Sequence, residues 1–387
     1  MSGSLAPRSH FPAADELTYL NTASISLVPE VVRARIQEFE RIVGGRGTVG
    51  FDDDTEAAAY EDARAAGARL LGCRPTDVAV TTSATEALNQ FAWWLRPAAG
   101  SNVVTVDIDF PSVTYVWQRL SRDTGVEVRM TDVRDDPASL SVGSVERLVD
   151  RATSAICVSQ VQYATGYRFD LGQLAELAHR NGALLIVDAT QSAGMLPIDV
   201  ATDDVDVLVT ASYKWLCSAF GAALCFVRPE LADGFVPPFV GWRSTIDPFH
   251  LDAVDMPLAR GVRAMEYSTV AYGSGIALGA AIQYVLDIGV DRILEHDLRL
   301  ASALVEGLRG LGASLISPLD RGLQTPIVGA RFAGRDPEDL HRRLAERDVH
   351  TSLRLDAVRF SPHLFNTPGD IERALEVLGE ILDGADR

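Results

Sequence analysis

ALLIVDATQSAG (183–194) and, shortly after it, VDVLVTASYKWL (205–216) decide the fold. Each is a nearly continuous apolar run that ends on polar or ionisable residues. A strand wetted on one face alternates apolar with polar residues, whereas a run without alternation suits a strand buried on both faces. The same texture recurs outward from this pair at DVAVTT (77–82), NVVTVDID (102–109), VEVRMTD (126–132), SAICVSQV (154–161) and AALCFVRP (222–229). Helical patterns lie between them, among them ATEALNQFAWWL and a segment near 112–121. Strand and helix in this rhythm predict an α/β fold with a mostly parallel sheet flanked by helices.

Beyond Pro238 the texture changes. Residues 238–268 mix Pro, Gly and charge and read as extended loops. An apolar helix is expected over 271–288 and an amphipathic one over 290–311. The short runs GASLISP, PIVGARF, VHTSL and AVRFSP lie around helices at 336–347 and 369–384, a smaller C-terminal α+β domain. The chain therefore divides into an N-terminal arm (1–27), a large domain (28–265) and a linking helix with the small domain (266–387). The acidic triplet at 52–54 reads as a solvated loop. GSGIALG (273–279) has the wrong spacing for a dinucleotide fingerprint, and its small residues fit close helix packing better.

Composition narrows the partners. With 35 Lys+Arg against 53 Asp+Glu, the net charge is −18 over 387 residues. Such a chain is poorly suited to nucleic acid or an anionic membrane, although a local anion site is still open to it. Four cysteines without a CxxC pair read as small buried hydrophobes rather than a disulfide framework. The first eleven residues hold no apolar run resembling a signal peptide, and no apolar stretch is long enough to span a bilayer, so a cytoplasmic location is expected. The seven histidines show no ligand spacing, and no metal site is expected.

Three motifs could carry chemistry. Ser83-Ala84-Thr85-Glu86 has the S-x-x-E pattern of a capping box at a strand-to-helix turn; its free N–H groups suit a phosphate, but taken by itself a well-capped helix is the better account, since capping boxes are common. Asp188 ends an apolar strand, where an acid is partly desolvated and needs a donor or cation, or simply caps the next helix. Lys214, within SYKW, follows another apolar strand, so desolvation can lower its pKa as Schiff-base chemistry requires. Alone, each motif is weak. Together, a phosphate cradle, an acid and an amine at successive strand ends match what pyridoxal phosphate needs.

On IVDATQSAG (186–194) and TASYKWL (210–216), the chain resembles the class V aminotransferase family of fold type I pyridoxal-phosphate enzymes, which includes cysteine desulfurases, isopenicillin N epimerases and kynureninases. The resemblance runs from Tyr19-Leu20-Asn21-Thr22 to the last helix. It implies that Lys214 forms the Schiff base and moves the Cα proton, and that Asp188 keeps the pyridine nitrogen protonated. Gln191 is implied to bond the ring hydroxyl and Phe110 to stack on the ring. Ala84, Thr85, Ser212 and Tyr213 are implied to hold the phosphate. Thr269 matches a position that reaches the phosphate of the other subunit in a homodimer with shared active sites. Arg359 matches the arginine that grips the substrate carboxylate. Asn21, with Tyr19 and Thr22, lies where the arm nears the substrate, and Trp242 and Arg243 on a loop that lines it; Arg243 is a candidate for a second acidic group on the substrate, or for a surface salt bridge.

Two departures narrow the reaction. Phe110 stands where cysteine desulfurases have a histidine, and RDVHTSLRLDAV (347–358) lacks their mobile cysteine, so a persulfide mechanism has no nucleophile. The expectation is an enzyme acting on an amino acid by Cβ (C–S) lyase-type elimination. An aminotransferase or epimerase is the alternative. A non-enzymatic binding role is disfavoured by the joint presence of Lys214, Asp188, Gln191 and Arg359.

Overall fold

The seven apolar runs form one sheet in the computed structural model, which describes residues 3–320, 322 and 324–384. The strands are β1 (Val78–Thr81), β2 (Asn102–Thr105), β3 (Glu127–Met130), β4 (Thr153–Ser159), β5 (Leu184–Asp188), β6 (Val207–Ala211) and β7 (Ala223–Val227). Their order is β1-β7-β6-β5-β4-β2-β3. β3, β2, β4, β5 and β6 run parallel, and β7 lies antiparallel between β6 and β1.

Burial on both faces accounts for the missing alternation. Leu185 and Val187 of β5 join Val78, Val80 and Leu208 in one core, packed beneath α2 (Glu61–Leu71), α5 (Leu171–His179) and α6 (Tyr272–Ile288). Ile186 joins Ala79, Val103, Cys157 and Val209 in a second core, beneath α3 (Ala84–Leu95) and α4 (Pro111–Thr124). Successive side chains of a strand point to opposite faces, so Asp188 lies on the α3/α4 face with Ile186.

α6 packs on α2 and on α1 (Glu30–Arg46). The small residues of GSGIALG make this close approach possible: a Cβ on Gly279 would meet the Ala63 nitrogen at 2.9 Å. α7 (Val290–Gly310) leads to a second sheet, antiparallel in the order β10-β11-β9-β8, with β8 Ser314–Leu315, β9 Val328–Arg331, β10 Ser352–Arg354 and β11 Ala357–Phe360. α8 (Pro337–Ala345) and α9 (Pro368–Gly384) cover it through Leu344, Val377, Leu378 and Ile381. The N-terminal arm docks here as well, with Thr18–Tyr19 pairing parallel to Val349–His350.

Two local expectations change. The acidic triplet is not a loop: Asp52 caps a short helix, Asp53–Ala58, by accepting the Thr55 N–H at 3.0 Å, where carboxylates favour the positive end of the dipole. The predicted capping box at Ser83 is displaced by one residue. Ser83 Oγ accepts the Glu86 N–H at 3.1 Å, but Glu86 returns to the N–H of Thr82 at 2.8 Å.

Candidate active site

The carboxyl ends of β4, β5 and β6, the start of α3 and the start of α4 surround one cavity. Ligands in open α/β sheets collect at this end. Its wall contains Ala84, Thr85, Phe110, Asp188, Gln191, Tyr213 and Lys214, so seven of the residues singled out in the sequence converge.

At the rim, α3 begins with N–H groups at Ala84 and Thr85 that have no partner among the described residues. The hydroxyls of Thr85 and Ser112 stand 2.8 Å apart beside them. Free N–H groups at a positive dipole end, with hydroxyls adjacent, form an anion cradle that needs no basic side chain.

Lys214 is 6% exposed. Burial lowers its pKa to about 8, against the attraction of Asp188, and the charges of Arg359 and Arg354 lower it further. Its amine lies 5.4 Å from the centre of the Phe110 ring. Asp188 is buried with its carboxyl raised by desolvation, opposed by hydrogen bonds from Thr190, whose N–H donates at 2.8 Å, and by Lys214. A buried acid aimed into a cavity from a strand end suits a cationic ring nitrogen.

Gln191 is fixed at both ends of its amide. It accepts the Trp215 indole N–H at 2.8 Å and donates to the Ala23 carbonyl at 2.9 Å, which leaves one N–H for a ligand. The two signature loops touch at Gly194, whose φ is +94° and where a Cβ would lie 2.6 Å from the Trp215 carbonyl, so glycine is required. From beneath, His363 donates to that same carbonyl at 3.1 Å and pairs with Asp297 at 2.7 Å.

Arg359 on β11 is 1% exposed. It donates to Ser352 Oγ at 3.0 Å, to the Tyr163 carbonyl and to Ser24 Oγ at 2.6 Å, and forms no ion pair with any described residue. The other fully buried arginine, Arg64, is matched by Glu266 at 2.7 Å. A buried guanidinium without a carboxylate is a vacancy of charge that an anionic ligand fills.

Besides Arg359, which does not line this cavity, five expected residues sit elsewhere. Ser212 is fully buried, its hydroxyl donating to the Ala219 carbonyl and its N–H to the Ala222 carbonyl at 3.2 Å, so it has no proton left for a phosphate. Thr269 accepts the Trp242 indole N–H at 3.1 Å, away from this cavity, and Trp242 borders a separate surface cleft. Arg243 is neither in the cavity nor in a surface salt bridge: it donates to the Tyr272 hydroxyl at 2.9 Å and approaches Glu56 at 3.5 Å, nearly buried. Asn21 bridges to Ser361, and Asn21 Oδ1 and Thr22 Oγ1 are buried without partners.

The structure adds Asp109, Ser159, Tyr163 and Ser112. Burial raises the Asp109 carboxyl to about 6, against hydrogen bonds from Ser159 and the Phe110 N–H. It thereby holds both Ser159, in the cavity wall, and Phe110. The signal was present: Asp109 ends an apolar run as Asp188 does. None of the four cysteines lines the cavity, and three are buried.

Comparison with known proteins agrees. The family model for class V aminotransferases matches residues 18–354. The chain belongs to that family. A Bacillus subtilis protein named as the uncharacterized aminotransferase YcbU is 31% identical over 95% of both chains. Among solved structures, the apo cysteine desulfurase of Thermococcus onnurineus NA1 superposes with a TM-score of 0.87 at 24% identity, covering 97% of each chain. The cystine C–S lyase C-DES, in complex with its reaction product cysteine persulfide, does so at 0.88 and 20% identity, covering 96% of this chain and 99% of that one. At these identities the two structures establish the shared fold. Family and fold make this class V member a pyridoxal-phosphate-dependent enzyme, and the cavity offers what the cofactor needs: unpartnered N–H groups, a buried acid, a desolvated amine and a ring to stack on.

Proposed function

We propose that the enzyme cleaves a Cβ bond, C–S in particular, of an amino acid held in this cavity. The observation that carries the reading is Lys214 together with Arg359: an amine whose pKa burial lowers to about 8, and a buried guanidinium without a carboxylate among the described residues whose charge acts on that amine. When bound, pyridoxal phosphate supplies an aldehyde for the substrate amine and a ring that accepts the electrons of the bond broken at Cα. Ala84, Thr85 and Tyr213 would hold the phosphate, and Asp188 would keep the ring nitrogen protonated. Gln191 would donate its remaining N–H to the ring hydroxyl, and Phe110 would cover the ring. Arg359 takes the substrate carboxylate on two N–H groups, restricting rotation at Cα so that one bond is selected. Lys214 would take the Cα proton and supply one to the sulfur as the Cβ–S bond breaks.

Phe110 cannot carry a proton, and no thiol reaches the cavity. Both facts favour release of the sulfur group into solution over its capture on the protein. Aminotransfer is the second reading, favoured by the 31% identical relative. Release of pyruvate and ammonia from S-substituted cysteines without a keto acid tests the choice; strict dependence on a keto acid would overturn elimination.

The positions of Thr269 and Trp242 support a homodimer in which they serve the other subunit's cavity. Exposed Phe239, Val240, Ile246, Leu251 and Val254 on the same segment provide an apolar face for a second copy. A cytoplasmic location is part of the same reading.

A further inference from the structure

Arg243, the sequence's candidate for a second acidic group, is committed to Tyr272 and Glu56. Another arginine is not. Arg354, half-buried at the end of β10, donates through Nη1 to the Leu353 carbonyl at 2.6 Å and through Nη2 to Ser24 Oγ at 3.4 Å, and forms no ion pair among the described residues.

Counting donors separates the roles of the two arginines. A guanidinium has five N–H groups. Arg359 spends one on Ser352, one on Tyr163 and one on Ser24, which leaves one on each terminal nitrogen, the pair that one carboxylate occupies. Arg354 spends two and keeps three, a second fork beyond what the α-carboxylate needs. Ser24 Oγ accepts from both arginines, so its lone pairs are filled. Its proton has no acceptor among the described residues and is free to donate to a ligand.

Positive charge is in excess around this pair of arginines. The charge of Arg354 is felt at Lys214, at Arg359 and at His341, whose pKa burial and that charge hold below its ordinary value, so the imidazole adds no cation at neutral pH. Asp188 is the one carboxylate whose charge is felt at Lys214, and no carboxylate is felt at Arg359, where only the Tyr163 phenol opposes the lowering. In a chain of net charge −18 this local excess of cation is uncompensated. One substrate carboxylate answers Arg359 and leaves Arg354 unmatched.

We propose that Arg354 and Ser24 form a second anion subsite beside Arg359, so that the substrate is an amino acid whose side chain bears its own carboxylate or similarly charged oxyanion. This rests on the reading that the cavity takes an amino acid, and it adds the class of side chain.

The test uses holoenzyme and two unreactive probes, glutarate and butyrate, which share one carboxylate and differ in the second. Binding is followed by calorimetry. The wild type is expected to hold glutarate at least tenfold more tightly than butyrate, and Arg354→Gln to reduce that preference to threefold or less, with the loss falling on glutarate. Arg354→Lys keeps the charge without the planar fork and is expected to restore part of the preference. Ser24→Ala, away from β10, covers the case in which Arg354 variants fail to fold and is expected to weaken glutarate more than butyrate. Equal wild-type affinities, or equal weakening of both probes by Arg354→Gln, would overturn the proposal, the latter by showing that both arginines share one carboxylate. If glutarate is preferred but no S-substituted cysteine yields pyruvate, the elimination reading fails and the subsite stands.

Discussion

Replacing Lys214 with methionine should stabilise the cofactor-free protein at neutral pH. Folding carries the amine from water to a site 6% exposed, and its pKa falls from 10.5 to about 8. A tenfold change in a proton-binding constant is worth about 1.4 kcal/mol, so the charged amine costs the native state about 3 kcal/mol. Methionine fills a similar volume without charge. Its gain is partly offset because Asp188 loses the nearby cation that opposes its protonation, which brings the expected net to about 2 kcal/mol.

The pH dependence gives the sharper check. Between about pH 8 and 10.5 the native amine is neutral while the unfolded one still binds its proton, so wild-type stability rises with pH across that window. Below it both states are charged and the cost is fully present; above it the cost is gone. Urea unfolding of cofactor-free wild type and Lys214→Met at pH 7 and pH 10, followed by tryptophan fluorescence, should therefore show a gain at pH 7 that shrinks at pH 10. A variant less stable than wild type at pH 7, or a gain unchanged at pH 10, would refute desolvation of Lys214 as the source of its low pKa.

Arg359→Gln should lower kcat/KM for an amino-acid substrate by roughly 30–150-fold, about 2–3 kcal/mol, because a fully buried fork with no carboxylate among the described residues is removed; steady-state kinetics that leave kcat/KM within threefold of wild type would remove Arg359 from the site. His363→Gln should destabilise the protein most at low pH. His363 faces acceptors at both ring nitrogens, Asp297 at 2.7 Å and the Trp215 carbonyl at 3.1 Å, so both carry protons and the ring is held charged. A raised histidine pKa contributes stability that is complete below the unfolded value and lost as pH rises through the folded one. The expected penalty is about 3 kcal/mol at pH 6, narrowing towards pH 10 in chemical denaturation.

The seven central strands and the long helices were legible because burial on both faces leaves a mark on local sequence: runs such as ALLIV have no alternation, and both cores claim alternate residues of β5. Lys214, Asp188 and Gln191 were legible for a related reason, since chemistry at strand ends stands next to those runs. Asp109 carried the same mark and was passed over because VDID reads as strand to its last residue, whereas β2 ends at Thr105 and the acid lies beyond it. Ser212 shows the reverse: adjacent to Lys214 in sequence, it turns its hydroxyl into the Ala219 carbonyl. Adjacency along a strand end alternates between facing the cavity and facing the core, so one residue's place says little about the next.

The arginines show where local reading stops. Arg243 and Arg354 look alike in sequence, each an arginine in a polar segment. What separates them is whether a partner comes from elsewhere in the chain. Glu56 and Tyr272, distant in sequence, meet Arg243, whereas Arg359 meets the Tyr163 carbonyl and shares Ser24 of the N-terminal arm with Arg354, and neither meets a carboxylate among the described residues. A serine can orient two guanidiniums but cannot neutralise either, and that deficit of negative charge is a property of the assembled cavity. Substrate specificity on this fold is accordingly expected to reside in which cations the chain leaves unpaired, a quantity that no single segment of sequence contains.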